Sequence, residues 1–169
     1  MKALIFSDSH GKYINMQKAI DMHMDSDYII HLGDGLADLD NINPHNAQII
    51  KTNGNFEDSF FSFGKNREIA RVIELSNMRI FICHGHRHGV SGGIQNLIYT
   101  TMEHDAVIAL YGHTHIKHSE YISPSETVKK GIYVFNPGSI SRPRDDIYSS
   151  FGLLEIKDGF VLLSHGIIK

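Results

Sequence analysis

The chain has 169 residues, enough for one domain that buries a real core without disulfides or a structural metal. Its formal net charge is -3, and no basic run is present, so the counterion-release term behind nucleic-acid binding has no source. A single cysteine, Cys83, excludes an internal disulfide and fits a reducing, cytoplasmic setting. No apolar run approaches the roughly 18 residues of a membrane span, and the N-terminal "MKALIF" is shorter than the about 7–15 residues of a signal h-region. The expectation is one soluble domain over residues 1–169.

The apolar run "KALIF" (2–6) predicts a short buried strand. The stretch 11–26 predicts a helix, with Met16, Ala19, Ile20 and Met24 on its apolar face. Strands follow at 27–32 and 46–52. The runs 67–75 and 78–84 predict a hairpin turning at Ser76-Asn77. A helix is expected over 91–104, with Ile94, Leu97, Ile98 and Thr101 on one side. Further strands are expected at 105–112, 116–123, 131–136, 149–157 and 159–168, the last pair joined by Asp158-Gly159, a strong hairpin signal. Helices and strands alternate early and strands dominate late, which argues for a layered α/β fold with two sheets or one large mixed sheet.

Five of the apolar runs end alike. "ALIF" leads into "SDSHG", "YIIHL" into "GDG", "QIIKT" into "NGN", "RIFIC" into "HGH" and "AVIAL" into "YGHTH". In open α/β sheets, ligand sites form outside the carboxyl ends of the strands. The groups offered there are Asp8, His10, Asp34, Asn55, His84, His113 and His115. Carboxylates, an amide and imidazoles suit Mn²⁺, Fe²⁺, Zn²⁺ or Ni²⁺. Seven donors exceed one ion and suit two that share a carboxylate. His113 and His115 would point to opposite faces of a continuing strand, but a loop after Gly112 can make them converge.

In order and spacing, these motifs resemble the calcineurin-like metallophosphoesterases. The pattern is D-x-H at Asp8-Ser9-His10, G-D at Gly33-Asp34, G-N at Gly54-Asn55, H-G at His84-Gly85 and G-H-x-H at Gly112-His113-Thr114-His115. The short length and "NPGSISRPR" (136–144) resemble the small YfcE-like phosphodiesterase branch. The resemblance implies an α/β fold: a four-layer sandwich of two mixed β-sheets flanked by helices. It implies Asp8, His10 and His115 on a first metal, Asn55, His84 and His113 on a second, and Asp34 bridging both. The implied cofactors are two divalent ions, Mn²⁺ foremost, with Ni²⁺, Zn²⁺ or Fe²⁺ as alternatives. The implied reaction is phosphodiester hydrolysis by in-line attack of a metal-bridging hydroxide, with Asn55, His84 and Asp34 at the reacting centre.

One position departs from the pattern. Many relatives follow G-N with a histidine suited to protonating a leaving group; here Phe56 stands there. The small branch often has cysteine at that place, so the departure bears on poor leaving groups rather than on activity itself. His86 is a candidate substrate-side residue. Arg87 and His88 are candidate phosphate contacts and Arg142 and Arg144 candidate phosphate or interface residues, all reading first as surface charge, and "NPGS" reads as a turn whose glycine and serine steady the G-H-x-H loop. The remaining histidines, such as His23 and His165, carry no motif. The expected partner is a small phosphodiester, with no nucleic acid or membrane, and a homo-oligomer (dimer or tetramer) is consistent with the resemblance. Two other readings share the fold: a catalytically weak protein-binding scaffold and a phosphomonoesterase.

Overall fold

The computed structural model describes residues 1–60 and 68–169. Alternation within the first strand, β1 (Lys2–Phe6), decides the layering. Ala3 and Ile5 face one core and Leu4 and Phe6 another, all fully buried. A strand covered on both faces reads as a continuous apolar run, which "ALIF" does.

After β1 come helix α1 (Tyr13–Met22), β2 (Tyr28–His31), a 3-10 segment (Leu36–Asn41), β3 (Gln48–Lys51) and a short helix α2 (Asn55–Phe60). The hairpin β4 (Ala70–Leu75) and β5 (Met78–Cys83) follows, then a 3-10 turn (His86–His88) and helix α3 (Gln95–Glu103). Strands β6 (Ile108–Leu110), β7 (Lys117–Ile122), β8 (Ile132–Pro137), β9 (Ser149–Lys157) and β10 (Phe160–Ile168) complete the chain. Arg67 of the expected 67–75 strand lies outside the described residues. Met24 was expected on the apolar face of the first helix, but the helix ends at Met22 and Met24 is exposed.

The strands form two mixed five-stranded sheets, ordered β10-β9-β1-β2-β3 and β4-β5-β6-β8-β7. In the first, β1, β2 and β3 are mutually parallel; in the second, β5, β6 and β8 are. One core lies between the sheets, where Ile5 and Ile30 meet Ile82, Leu110 and Phe135. A second packs α1, through Met16, Ala19 and Ile20, on the outer face of the first sheet. A third packs Leu97 of α3 against Phe81, Ala109 and Val134 of the other sheet. The result is the expected four-layer order of helix, sheet, sheet, helix.

Both predicted tight turns have positive φ at both central residues, 50° and 61° at Ser76-Asn77 and 51° and 82° at Asp158-Gly159. That is the primed geometry that matches strand twist. Among the described residues, no helix is long and apolar enough to cross a membrane.

Candidate metal centre

Parallel neighbours end at the same edge of a sheet, so the loops after β1, β2 and β3 meet, as do those after β5, β6 and β8. Backbone hydrogen bonds lace them together: Asp8 N–H donates to Gly33 O (3.0 Å), His10 N–H to Asp34 O (3.3 Å) and Gly112 N–H to His84 O (3.0 Å). A Cβ on Gly54 would strike the carboxylate and amide of Asp34, so glycine is what allows the loops after β2 and β3 to touch.

Glycine does not make every turn. Asp8, His10, Asp34, His113 and His115 themselves adopt positive φ, from 41° to 70°. For non-glycine residues this costs on the order of 1 kcal/mol each. It also answers the question posed by "GHTH". Left-handed backbone at both histidines breaks strand alternation, and both side chains line one cleft.

In that cleft the side-chain donor atoms gather. Asp8, His10 and His115 present atoms within 4.8 Å of one another, and so do Asp8, Asp34 and His84. Asp8 is common to both groups. Asn55 Oδ1 lies 3.2 Å from His84 Nε2 and 3.0 Å from His113 Nδ1, which joins the remaining two residues to the cluster. All seven residues singled out in the sequence are therefore brought together.

Each carboxylate has one oxygen tied to the protein. Asp8 Oδ2 accepts from Ser7 Oγ (2.6 Å) and His113 N–H (3.1 Å), and Asp34 Oδ1 accepts from Phe56 N–H (2.8 Å). Asp8 Oδ1 is buried and has no hydrogen-bond donor. His115 Nε2 sits 3.1 Å from it, which gives charge attraction when the ring is protonated but not hydrogen-bond alignment. A buried carboxylate oxygen without a donor is costly, and a cation would relieve it.

The imidazoles are aimed from behind. His84 Nδ1 is 2.8 Å from Leu32 O and His115 Nδ1 is 2.7 Å from Arg142 O. A proton on each Nδ1 leaves Nε2 facing the carboxylates, the arrangement of metal-binding histidines held by an outer partner. The donor set thus fits divalent ions in position, chemistry and orientation.

Charges inside the cluster shift its protonation. Burial pushes Asp34 up, but His84 and the Phe56 amide outweigh it and hold the carboxyl at about 2. Burial likewise raises Asp8, while contacts with His115 and His84 bring it below the usual carboxylate range. Burial lowers His84, but Asp34 and Asp8 outweigh that and raise it.

Residues 1–159 match the calcineurin-like phosphoesterase superfamily domain. The chain belongs to that superfamily. It is 30% identical to the probable metallophosphoesterase YsnB of Bacillus subtilis, across 94% of this chain and 86% of that protein. It is 25% identical to the phosphodiesterase YfcE of Escherichia coli, across 92% of this chain and 88% of that protein. In fold it is similar to Vps29 of Entamoeba histolytica, solved in complex with zinc, at a TM-score of 0.68 and 22% identity, covering 99% of each chain.

Within this calcineurin-like site, sequence reasoning missed the supports. Glu57 accepts backbone hydrogen bonds from Asp34 (2.9 Å), Gly35 (2.7 Å), Leu36 (3.0 Å) and Gly54 (2.8 Å), clamping two loops at once. The Gly54 bond is half of a capping box at the start of α2, the one local signal that pointed to it. His31 is fully buried. Its Nδ1 accepts from Gly33 N–H (3.1 Å), so Nε2 carries the proton toward Ser9 Oγ (3.1 Å), which donates to Gly35 O (3.1 Å). After β8, Ser139 and Ser141 donate to Asp8 O (2.9 and 2.6 Å), and Asn136, near the end of β8, donates to Gly112 O (2.9 Å). The G-H-x-H loop is thus braced by Asn136 of "NPGS" rather than by the expected glycine and serine, and Ser139 braces the Asp8 loop instead.

His86 stands further out, its ring 6.1 Å from that of His113 and its Nε2 3.4 Å from Asp58 Oδ2. For Arg142 and Arg144 the surface-charge reading comes first and the phosphate reading second. Both are exposed, yet both line the cleft beside His10 and His115.

Replacing Glu57 with alanine strands four amides and is expected to cost about 3 kcal/mol, with Glu57→Gln intermediate, in urea unfolding of the metal-free protein. His31 gives a pH test. Burial lowers it to about 4 in the folded chain, against about 6.5 unfolded. Between those values the unfolded state takes up a proton that the folded state does not, so its contribution to stability falls as pH falls from about 6.5 to 4. The stability difference between the parent and His31→Gln should shrink by about 3 kcal/mol over that window. A constant difference would mean that His31 is protonated in the fold.

Proposed function

We propose that the chain is a two-metal phosphodiesterase acting on a small diester. The observation that carries this reading is the convergence of all seven donors, with His84 and His115 aimed from behind and Asp8 Oδ1 left without a donor. Asp8, His10 and His115 would hold one ion and Asn55, His84 and His113 the other, with Asp34 shared. Bound there, two divalent ions such as Mn²⁺ supply Lewis acidity, lowering the pKa of water and neutralising phosphoryl charge. The chain's own part is to fix the donors, to keep Asp34 ionised and to orient the substrate. Asn55 presents an amide to the cleft, and Arg142 and Arg144 supply cationic guidance for a phosphoryl oxygen.

Phe56 is half exposed, its ring edge-on to His10 at 6.2 Å between centroids. A phenyl ring donates no proton, so the reading favours diesters with good leaving groups. The fold likeness to Vps29 keeps a protein-binding role as the second reading. Absence of metal-dependent turnover of bis(p-nitrophenyl) phosphate with Mn²⁺, Ni²⁺ or Zn²⁺ would favour it.

Asp34→Ala is expected to reduce bound metal from two ions per chain to none, read by elemental analysis after dialysis. A fall to one would make Asp34 the ligand of a single ion and leave Asp8 as the shared carboxylate. Phe56→His should raise rates about tenfold or more on alkyl esters with poor leaving groups, and little on p-nitrophenyl esters. Equal effects on both substrates would refute an acid role for that position.

A further inference from the structure

The metal cleft has a neighbour. A cavity of about 490 Å³ holds the cleft residues, and a second of about 360 Å³ lies beside it, with Arg144 lining both. The segment 113–116 is the partition. His113 and His115 line the cleft, while Thr114 and Ile116 line the second cavity. That cavity is within the size range of small-ligand sites, about 300–1,000 Å³.

Its chemistry differs from that of the cleft. Val90 and Tyr111 are buried in its wall, and Ile116 offers an apolar side chain that is nearly half exposed. Of its three basic side chains, two are occupied. Lys117 pairs with Asp145 (3.2 Å) and Asp146 (3.3 Å), and His118 Nδ1 lies 2.9 Å from the Tyr111 hydroxyl. Arg144 is the exception. Its backbone N–H is fixed on His115 O (3.0 Å), and among the described residues no carboxylate pairs with its guanidinium. A charged fork, without a carboxylate partner among the described residues, thus stands between a donor-rich cleft and a hollow where Val90, Tyr111 and Ile116 supply an apolar side.

We propose that this second cavity is a subsite for the substituent that stays on phosphorus when a diester is cleaved, and that it takes an apolar or aromatic group. The inference rests on the phosphodiesterase reading for the reaction, but the cavity is a property of the chain. Arg144 meets a non-bridging phosphoryl oxygen at the seam, and the retained group passes beyond it onto Ile116, Val90 and Tyr111. In the cleavage, a water oxygen bonds to phosphorus. The bond from phosphorus to the leaving oxygen breaks with its electron pair, and the water proton passes to solvent. The bond to the retained group is untouched. A monoester has no such group, so the subsite separates diesters from monoesters without contacting the departing alcohol.

The probes are the monoethyl esters of phenylphosphonic and methylphosphonic acid, both monoanions whose carbon-linked substituent cannot depart. Titration calorimetry on manganese-loaded protein should show the phenyl compound binding about tenfold more tightly than the methyl one. Ser91→Trp, which fills the cavity from an exposed position on its wall, should bring that ratio to about one, and Ile116→Ser should lower it about threefold. Arg144→Gln should weaken both ligands by a similar factor, about fivefold, and leave the ratio in place. Equal binding of the two ligands by the parent, or a ratio that survives both Ser91→Trp and Ile116→Ser, overturns the proposal. Release of p-nitrophenolate from p-nitrophenyl methylphosphonate is followed in parallel. Its absence would count against the phosphodiesterase reading, while the binding ratio still decides the subsite.

Discussion

One buried carboxylate ties the molecule together. Asp8 is fully buried, and every polar atom of it except Oδ1 is held by a different part of the chain. Its amide donates to the loop after β2, its carbonyl accepts from the turn after β8, and Oδ2 accepts from the loop after β6. A charge removed from water must be compensated; Ser7 and the loop after β6 do so at Oδ2, while the backbone bonds draw in the loops after β2 and β8. Oδ1 is left over at their common point. The geometry of the cleft follows from satisfying Asp8 on every side but one.

That arrangement is bought against backbone strain. Five of the seven clustered residues sit in the left-handed region, where aspartate and histidine are tolerated but not favoured. Rigid supports hold them there: the four-amide clamp of Glu57, the His31–Ser9 chain and the serines after β8. Glu57 and Ser9 share a helix or a loop with the donors they steady, while the serines come from the turn after β8. A site that must be in place before its ligand arrives needs such a frame, because flexible loops would lose the same donors to solvent.

Much of this could be read from the residues, for identifiable reasons. Most strands of both sheets were visible as apolar runs, the polar Lys117–Ile122 being an exception, and both tight hairpins as residue pairs that accept positive φ. The donor cluster was visible because metal-binding residue types recur at five strand ends. What stayed hidden depends on three dimensions. The segments Leu36–Asn41 and Asn55–Phe60 are too short to show a period. Glu57 binds amides that lie more than twenty positions away in the chain, a relation no local pattern encodes. Arg142 and Arg144, candidate phosphate or interface residues, read first as surface charge, because nothing in the order of residues says which cations line a cleft. Met24 failed for a simpler reason: the helix stopped before it.

The cluster also straddles the sandwich. Asp8, His10, Asp34 and Asn55 follow strands of the first sheet, whereas His84, His113 and His115 follow strands of the second. Neither sheet carries a complete set. Any ion or anion gripped at this edge is therefore gripped by both halves, and its binding energy resists their separation. A ligand held by donors from both sets would work as a clasp at the mouth of the inter-sheet core.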